Sequence, residues 1–437
     1  MNTPHVKYLL VGGGAAASAA AEAIRQRDPQ GSMLLVSQEV NRPYHRPALH
    51  REYLSRQRSR ADLSYFPVGW LPENHVDLRT GRRVACLDTS RASATLDNGE
   101  EVSYDKLLLA VGATPKTLTI PGGDLPNVFY LRTVEDADRL HNAVEQALEE
   151  GRRHARGVGR GKAAVIGAGL LGVELAATLN EMGLHVDLIV GHAHPWHHIA
   201  GDATGAFVAR HLEKSGIAVH TGHRAERLEG DGRVQKVVLS SGEIIECDLA
   251  VGAVGVRPNR DILRNTPIAA EVAILVDPHC QTSVPNIYAA GDCAAVLDPL
   301  FGKHRIIDHW ENAKITGSIA GANMAGGDES YDAVSHYTSE FLGLHASFWG
   351  ERRQVHHRLV RGAPSLNGTG PASSSAETPR FVEFGIAADG RVAQVIKIGT
   401  GGDEGDKLMR FVGERVQVNE REEKLKDPTQ PLDAFLA

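Results

Sequence analysis

The chain contains few cysteines and no long apolar segment. Its four cysteines, Cys86, Cys247, Cys280 and Cys293, are scattered over 437 residues without a C-x-x-C motif. This spacing argues against a structural disulfide framework. No apolar run reaches the roughly 20 residues of a membrane-spanning helix, and the N-terminal residues lack a signal-peptide pattern. We therefore expect a cytoplasmic protein.

An excess of positive charge is also missing. Lysine and arginine number 47 against 54 aspartates and glutamates, which gives a formal net charge of −7 at pH 7. This balance argues against general binding to nucleic acid. The hydrophobic fraction of 42% is typical of a globular protein, and 437 residues exceed the usual size of one hydrophobic core. We expect two or three domains.

A glycine-rich turn near the N-terminus is the first informative motif. Residues 8–11 are apolar, residues 12–14 are glycines, and an alanine-rich segment follows. This order predicts a buried strand, a tight turn and a helix. Gly12 would permit the turn, Gly14 would let the backbone approach a pyrophosphate, and Ala17 would allow close helix–strand packing. The helix N-terminus would direct its N–H groups at the anion.

A second turn of the same kind lies further along the chain. The apolar residues 163–166 precede Gly167, Gly169 and Gly172, which form a complete G-x-G-x-x-G. Glu174 lies in the helix that this motif predicts. Two such turns in one chain imply that the protein binds two dinucleotides.

The residues that follow the second strand of each unit bear on ribose recognition. Glu39 lies just past the apolar run 33–36, where an acid accepts hydrogen bonds from ribose hydroxyls; the alternative is a solvated loop glutamate. After the predicted strand 185–190 the chain has Gly191 and His192, neither the acid that favours NAD nor the arginine that favours NADP. His192 either bonds the ribose or, when protonated, faces a 2′-phosphate. The sequence leaves NADH and NADPH open.

Five further segments carry a more specific signal. They are NRPYHRPALHREYL at 41–54, YDKLLLAVGATP at 104–115, DLAVGAVGVRPN at 248–259, VPNIYAAGDCA at 284–294 and HWENAKITGSIAGANMAG at 309–326. Together they resemble the FAD-dependent ferredoxin/rubredoxin reductase group, which includes monodehydroascorbate reductases and apoptosis-inducing-factor-like proteins. The resemblance spans nearly the whole chain. Two residues depart from it: His50 stands where the group has serine, and Arg51 where it has lysine.

The resemblance implies an α/β fold with two Rossmann-like dinucleotide-binding domains and a C-terminal α+β interface domain. The FAD-binding domain is expected to be discontinuous, at 1–117 and 246–328. The NAD(P)H-binding domain would span 118–245 and the interface domain 329–437. The implied activity is that of an FAD-dependent NAD(P)H reductase, in which hydride passes from the nicotinamide to FAD.

The resemblance also implies site residues. The expected FAD contacts are Gly12, Gly14, Ala15, Ala17, Glu39, Arg42, Arg46, Arg51, Val84, Ala110, Gly112, Arg132, Gly291, Asp292 and Trp310. The expected NAD(P)H contacts are Gly167, Gly169, Leu170, Leu171, Gly172, Glu174, His192 and Gly255. The expected catalytic residues are Arg51, Glu174 and Trp310.

Alternatives exist for several of these roles. Arg51 is expected to form an ion pair with Glu174 beside the flavin and to hold that carboxylate in place. Asp292 accepts a hydrogen bond from the ribityl chain, caps a helix, or does both. Trp310 either flanks the flavin or fastens its helix to the core. Arg132 either reaches the flavin or only begins a helix, which we place within residues 129–137.

The sequence says less about the acceptor that takes electrons from the flavin. Residues 35–60 contain no cysteine, so no redox disulfide or cysteine sulfenate is available there and electrons must leave the flavin directly. Three acceptors stay open: a small iron–sulfur or iron protein, a small molecule such as a monodehydroascorbate-like radical, quinone or oxygen, or a partner bound in a redox-dependent way as in apoptosis-inducing-factor-like proteins. No nucleic acid or membrane is expected as a partner, and the chain is either a monomer or a homodimer.

Three loops complete the expectations. Residues 150–162 are rich in glycine and arginine, which indicates either a mobile solvated loop or an anion site. Residues 364–378 are expected to be disordered. The cluster His192, His194, His197 and His198 lacks the i, i+4 helical spacing and a nearby cysteine, so we do not expect a metal site.

Overall fold

The computed structural model describes residues 4–154, 160–364, 381–399 and 404–436. Its strands, β1 to β25, are His5–Val11, Met33–Val36, Val76–Arg79, Val84–Asp88, Ser93–Leu96, Glu101–Leu109, Ala113–Pro115, Val128–Phe129, Lys162–Ile166, His185–Val190, Ala218–Thr221, Ala225–Glu229, Lys236–Leu239, Ile244–Glu246, Leu249–Gly252, Val256–Pro258, Ile274–Val276, Ile287–Ala289, Ala294–Asp298, Lys303–Arg305, His336–Phe341, Leu344–Gly350, Val355–Gly362, Phe381–Ala387 and Val392–Ile398. Its α-helices, α1 to α8, are Ala15–Arg27, Trp70–Glu73, Val134–His154, Leu170–Glu181, Asp202–Lys214, Trp310–Met324, Gly405–Gly413 and Glu422–Lys426. The chain forms two compact units.

Unit 1 comprises Met1–Ala48, Ser59–Thr114 and Val256–Ser335. Its main sheet has the order β3-β2-β1-β6-β5-β4, and β18 also pairs with β6. Strands β1, β2, β3, β6 and β18 are parallel, whereas β4 and β5 pair in the antiparallel sense. The last four residues of β1 and all of β2 are buried, as a parallel sheet covered on both faces requires.

Small residues let two helices of unit 1 approach closely. A Cβ added at Gly317 of α6 would lie 2.2 Å from the carbonyl oxygen of Ala16 in α1. A Cβ at Gly321 would lie 2.4 Å from the carbonyl oxygen of Ala20. The alanine run of α1 therefore serves helix packing as well as the turn that precedes it.

Unit 2 comprises Leu49–Arg58, Pro115–Gly255 and His336–Ala437. It contains a parallel sheet of order β11-β10-β9-β15-β8, a small antiparallel sheet β12-β13-β14 and an antiparallel sheet β21-β22-β25-β24-β23. Strand β9 leads into the second glycine turn and α4. Its neighbour β10 runs parallel to it, so both strands end at the same edge of the sheet.

The predicted strand–turn–helix units at residues 8–21 and 163–177 are both present. The helix expected within residues 129–137 begins only at Val134, because Thr133 and Asp136 form a reciprocal cap: Asp136 accepts from the Thr133 amide at 2.7 Å, and Thr133 Oγ1 accepts from the Asp136 amide at 3.2 Å. Phe129 instead ends β8.

The structure describes parts of the two expected loops. Helix α3 continues to His154, so the first part of 150–162 is helical rather than a loop. Residues 155–159, and nearly all of 364–378, lie outside the described residues. Within the described ranges no helix combines the length and apolar character needed to cross a bilayer. The division into three domains stays a prediction.

Candidate active site

The first glycine turn combines two closely packed glycines with one open glycine. Gly12 has φ +133°, and an added Cβ would lie 2.1 Å from the carbonyl oxygen of Ala110. A Cβ at Gly13 would lie 2.3 Å from Ser37 Oγ. Gly14 is the N-cap of α1, and an added Cβ would meet no atom within 4 Å. Because this N-cap is a glycine, it supplies no side-chain partner for the first amides of α1, the groups that an anion would meet.

The second turn repeats this arrangement in unit 2. Gly167 has φ +107°, and an added Cβ would lie 2.4 Å from the carbonyl oxygen of Ala253. A Cβ at Gly172 would lie 1.9 Å from the carbonyl oxygen of Gly167. Gly169 is the N-cap of α4 and would meet nothing within 4 Å. Both turns thus pair a backbone-packed glycine with an open cradle at a helix N-terminus, which fits a pyrophosphate.

Glu39 is held in place near the end of β2. Its carboxylate accepts hydrogen bonds from the Tyr44 hydroxyl at 2.6 Å and from Arg46 Nη2 at 2.8 Å. Arg46 also donates to the Tyr44 hydroxyl at 2.9 Å. Burial acts to lower the pKa of Arg46, but Tyr44 and Glu39 outweigh it and raise that pKa above its ordinary value. Glu39 is therefore a positioned carboxylate, and its ribose role stays a prediction.

Asp292 and Trp310 lie on neighbouring elements of unit 1. Asp292 belongs to the single 3-10 turn Gly291–Cys293, whose N-cap is Ala290, so the alternative that Asp292 itself caps a helix is wrong. Trp310 is the first residue of α6, and its ring lies 4.8 Å from the His45 ring and 6.1 Å from the Tyr65 ring, centroid to centroid. These contacts hold the indole at a helix N-terminus.

The two units divide the predicted site residues between them. Unit 1 holds Gly12, Gly14, Ala15, Ala17, Glu39, Arg42, Arg46, Val84, Ala110, Gly112, Gly291, Asp292 and Trp310. Unit 2 holds Arg51, Arg132, Gly167, Gly169, Leu170, Leu171, Gly172, Glu174, His192 and Gly255. Arg42 is exposed, whereas Val84 is buried in β4. Arg132 directly precedes the capped start of α3, and its amide donates to Asp136 Oδ2.

The expected ion pair between Arg51 and Glu174 is wrong. Glu174 Oε2 lies 3.1 Å from His50 Nε2, and Oε1 accepts a hydrogen bond from Ser339 Oγ at 2.6 Å. Arg51 instead contacts two other carboxylates, Glu52 at 3.1 Å and Glu340 at 3.2 Å. The Glu174 oxygens are thus engaged by closer partners, and the guanidinium is already paired.

Sequence reasoning missed these partners. Ser339 is separated from Glu174 by 165 residues, and Glu340 from Arg51 by 289 residues. Glu340 also accepts from His345, 2.9 Å away, and this bond, with Arg51, lowers the pKa of Glu340 below its ordinary value. The signal that could have found His50 was its departure from the serine of the group it resembles.

The histidine-rich segment after β10 is folded against the second turn. The Trp196 amide donates to the carbonyl oxygen of Ala168 at 2.8 Å. His192 Nε2 lies 3.0 Å from His198 Nε2, and the His192 and His197 rings stack 4.7 Å apart. Within the described residues no group of three or more histidine, cysteine, aspartate or glutamate side chains is arranged to hold a metal ion.

The four cysteines are free thiols. Cys86 is exposed, while Cys247, Cys280 and Cys293 are buried. Burial raises the pKa of Cys247 to about 12 and that of Cys293 to about 11. It raises the pKa of Cys280 as well. The buried thiols therefore carry almost no thiolate near neutral pH and are poor redox groups.

Comparison with known proteins identifies the family of this chain. Residues 6–317 match the pyridine nucleotide-disulphide oxidoreductase family. The chain belongs to this family. It is an oxidoreductase whose cofactors are FAD and a nicotinamide dinucleotide, which confirms the resemblance and the expected cofactors.

Individual relatives have a low sequence identity to this chain, but the similarity extends over most of its length. The biphenyl dioxygenase system ferredoxin–NAD(+) reductase component of Paraburkholderia xenovorans is 30% identical over 81% of this chain and 83% of its own. Monodehydroascorbate reductase 3 of Arabidopsis thaliana is 29% identical over 79% of this chain and 81% of its own. The crystal structure of the ferredoxin reductase for the CYP199A2 system from Rhodopseudomonas palustris is 26% identical, with a TM-score of 0.86 over 99% of this chain and 100% of its own. The predicted fold class is confirmed.

Proposed function

We propose that the chain is a cytoplasmic FAD-dependent NAD(P)H reductase that passes electrons to a small ferredoxin- or rubredoxin-type protein. The relative from Paraburkholderia xenovorans is named a ferredoxin–NAD(+) reductase, and a rubredoxin-NAD(+) reductase of Pseudomonas putida is 27% identical over 77% of this chain. In this proposal the expected three-domain division and the site residues of both turns keep their roles.

The observation that carries the proposal is the pairing of two open glycine cradles with the absence of cysteine from residues 35–60. The cradle at Gly14 would hold the FAD pyrophosphate, with Glu39 on the ribose, and the cradle at Gly169 would hold the nicotinamide dinucleotide. Bound FAD would supply the chemistry that connects two-electron hydride transfer with one-electron transfer to the acceptor. Among the described residues, each of the four thiols is a free cysteine rather than half of a disulfide. Electrons therefore leave without a disulfide step.

His50 and Ser339 would hold the Glu174 carboxylate in place rather than act as a proton relay. His50 and Ser339 each engage one of its oxygens, so the side chain has one preferred rotamer. Asp292 and Trp310 would position the flavin in unit 1. A second candidate is direct reduction of a small acceptor, which the similarity to monodehydroascorbate reductase 3 supports.

Rapid mixing of the FAD-loaded protein tests the proposal. We expect NADH or NADPH to bleach the flavin absorbance, and a [2Fe–2S] ferredoxin or a rubredoxin to restore it at a rate that falls with ionic strength. Restoration by a quinone or the monodehydroascorbate radical alone would favour the second candidate. A flavin that neither nicotinamide bleaches would contradict the reductase function itself.

A further inference from the structure

A group of cationic side chains surrounds the end of β10. Gly191 follows the strand directly, and an added Cβ would lie 3.2 Å from Arg224 Cγ and 3.9 Å from its Nε. His192 comes next, with its Nε2 3.0 Å from His198 Nε2. His198 and Arg224 are exposed and His192 is half-buried, so a ligand from solvent can reach them. We call these three side chains, His192, His198 and Arg224, the β10 basic cluster.

The backbone holds this cluster near the second turn. Strands β9 and β10 are parallel neighbours, so the Gly167 turn and Gly191 share the carboxyl edge of the sheet, where α/β proteins bind ligands. The Trp196 amide is bonded to the carbonyl oxygen of Ala168, and the Gly222 amide to that of His192 at 2.8 Å. Trp196 is 1% exposed and packs edge-on against Phe348 at 5.3 Å. The histidine segment is therefore a fixed part of the site.

The surroundings of the β10 basic cluster favour an anion. Burial lowers the pKa of His192, and His198, His197, Arg224 and His194 lower it further. Burial likewise lowers the pKa of His198, with His197 and Arg352. The segment 191–200 contains no aspartate or glutamate, so it offers no carboxylate to the two hydroxyls of an NADH ribose. A dianion placed among these groups would relieve their mutual repulsion and let the histidines take up protons.

We propose that the β10 basic cluster binds the 2′-phosphate of NADPH and that the enzyme prefers NADPH to NADH. This inference rests on the proposed function, because it assigns the nicotinamide dinucleotide to the second turn. Arg224 would donate to the phosphate as a permanent cation. The His192–His198 pair, joined through its Nε2 atoms, would take up one proton and donate through Nδ1–H. Binding of the phosphate is then coupled to proton uptake and weakens as the pH rises.

Nucleotide fragments test the cluster without any redox reaction. We expect calorimetry on the FAD-loaded protein to show that 2′-AMP binds about tenfold or more tightly than 5′-AMP at pH 7, the effect of one or two charged hydrogen bonds. The preference should narrow at pH 8.5, where the phosphate of a free monoester stays a dianion because its second pKa is about 6. The loss of preference for 2′-AMP between pH 7 and pH 8.5 would therefore reflect deprotonation of His192 and His198.

Variants sharpen the test. The double substitution His192→Asn with His198→Asn should remove the pH dependence, and Arg224→Gln should cut 2′-AMP affinity by about tenfold, since each loses a charged donor. Gly191→Asp should shift the preference towards NADH, because it supplies the missing carboxylate. The melting temperature should change little in the histidine and Arg224 variants, as these side chains are at or near the surface.

The possible outcomes separate this inference from the reductase function. Equal affinity for 2′-AMP and 5′-AMP, with NADH and NADPH reducing the flavin equally well, would overturn the inference and leave the function intact. A clear preference for 2′-AMP that the variants abolish supports the cluster, even if neither nicotinamide reduced the flavin and the proposed function failed.

Discussion

At the scale of single residues, His50 changes the chemistry expected around Glu174. An arginine at position 51 predicted a permanent ion pair, but the structure gives that carboxylate to His50 and Ser339. Both partners of the His50–Glu174 contact are largely buried, with side chains 19% and 13% exposed. Arg51 and Glu340 are 36% and 51% exposed. Burial decides which of the two contacts matters for stability, since solvent screens the more exposed pair.

We predict that His50→Ala destabilises the protein more than Arg51→Ala. Removing His50 leaves a largely buried carboxylate with one partner fewer, at a cost of about 1–3 kcal/mol in the apparent free energy of unfolding. Arg51→Ala removes exposed pairs worth about 0–1 kcal/mol. Urea unfolding of both variants, followed by circular dichroism, measures the difference. A larger loss for Arg51→Ala would mean that the pairing described here is not the one that matters in solution.

At the scale of elements, each glycine turn joins a packing requirement to a binding requirement. Gly172 sits against the carbonyl oxygen of Gly167, whereas Gly169, three residues earlier, faces open space. Gly172 is needed to build the turn, and Gly169 keeps space free for a ligand. Both belong to one motif, so they form a matched pair for experiment.

Gly169→Ala should therefore fold normally and lose nicotinamide binding, while Gly172→Ala should lose stability. The methyl of Gly169→Ala meets no protein atom within 4 Å but occupies the cradle. We expect its affinity for the dinucleotide to fall about tenfold or more with an unchanged melting temperature, since backbone approach is blocked. In Gly172→Ala, overpacking should cost about 1–3 kcal/mol. Titration of the nicotinamide and thermal unfolding measure the two effects, and normal binding by Gly169→Ala would contradict the cradle.

Asp28, the C-cap residue directly after α1, gives a prediction about pH. Its carboxylate accepts hydrogen bonds from Lys7 Nζ at 2.6 Å and from the Tyr8 hydroxyl at 2.8 Å. The Gly31 amide donates a third at 2.8 Å. The bonds from Lys7 and Tyr8 hold the pKa of Asp28 well below its ordinary value. A depressed pKa in the folded state stabilises the fold above the unfolded pKa of about 3.9, and this contribution fades as the pH falls.

We expect Asp28→Asn to lower the free energy of unfolding by about 1 kcal/mol at pH 7, a modest value because the site lies near the surface. The gap between variant and parent should close as the pH falls below about 4, where Asp28 becomes protonated in the unfolded chain. Urea unfolding between pH 3 and 7 follows this gap. A gap that stays constant over the whole range would show that Asp28 acts without its charge.

At the scale of the whole molecule, long-range contacts join parts of the chain that no local pattern connects. Glu383 of β24 is 1% exposed and accepts hydrogen bonds from Arg358 Nη1 at 2.6 Å, from the Gly201 amide at 2.9 Å and from Thr204 Oγ1 at 2.5 Å. It thereby fastens the C-terminal sheet to the start of α5 within unit 2. Removing one partner of such a buried ion pair destabilises the fold, because the other charge stays buried without compensation.

Glu383→Ala should remove about 3–5 kcal/mol of stability, because it leaves the Arg358 charge without its carboxylate. Glu422 provides the control, since it pairs with the exposed side chain of His357, and Glu422→Ala should change stability by about 0–1 kcal/mol. Thermal unfolding of the full chain measures both variants. Similar losses in the two variants would contradict the assignment of Glu383 as a structural anchor.

The sequence by itself determined the two strand–turn–helix units, the α/β class and the family. These rest on local rules: a turn that only glycine can form, an apolar strand before it, and small residues in the helix after it. The position of Glu39 at the end of β2 followed from the same local spacing. The absence of cysteine at 35–60 also belongs to this level.

Only the tertiary structure decided which side chains meet. Glu174 and Ser339 are 165 residues apart, and Glu383 and Gly201 are 182 apart, so their contacts depend on the order of strands in the sheets and on helix packing. The β10 basic cluster likewise forms because Arg224, the residue directly before β12, lies close to Gly191 at the end of β10. The spacing of residues in the sequence determines on which side of its own helix or strand a side chain lies. Which side chains of other elements it contacts depends on how the elements pack.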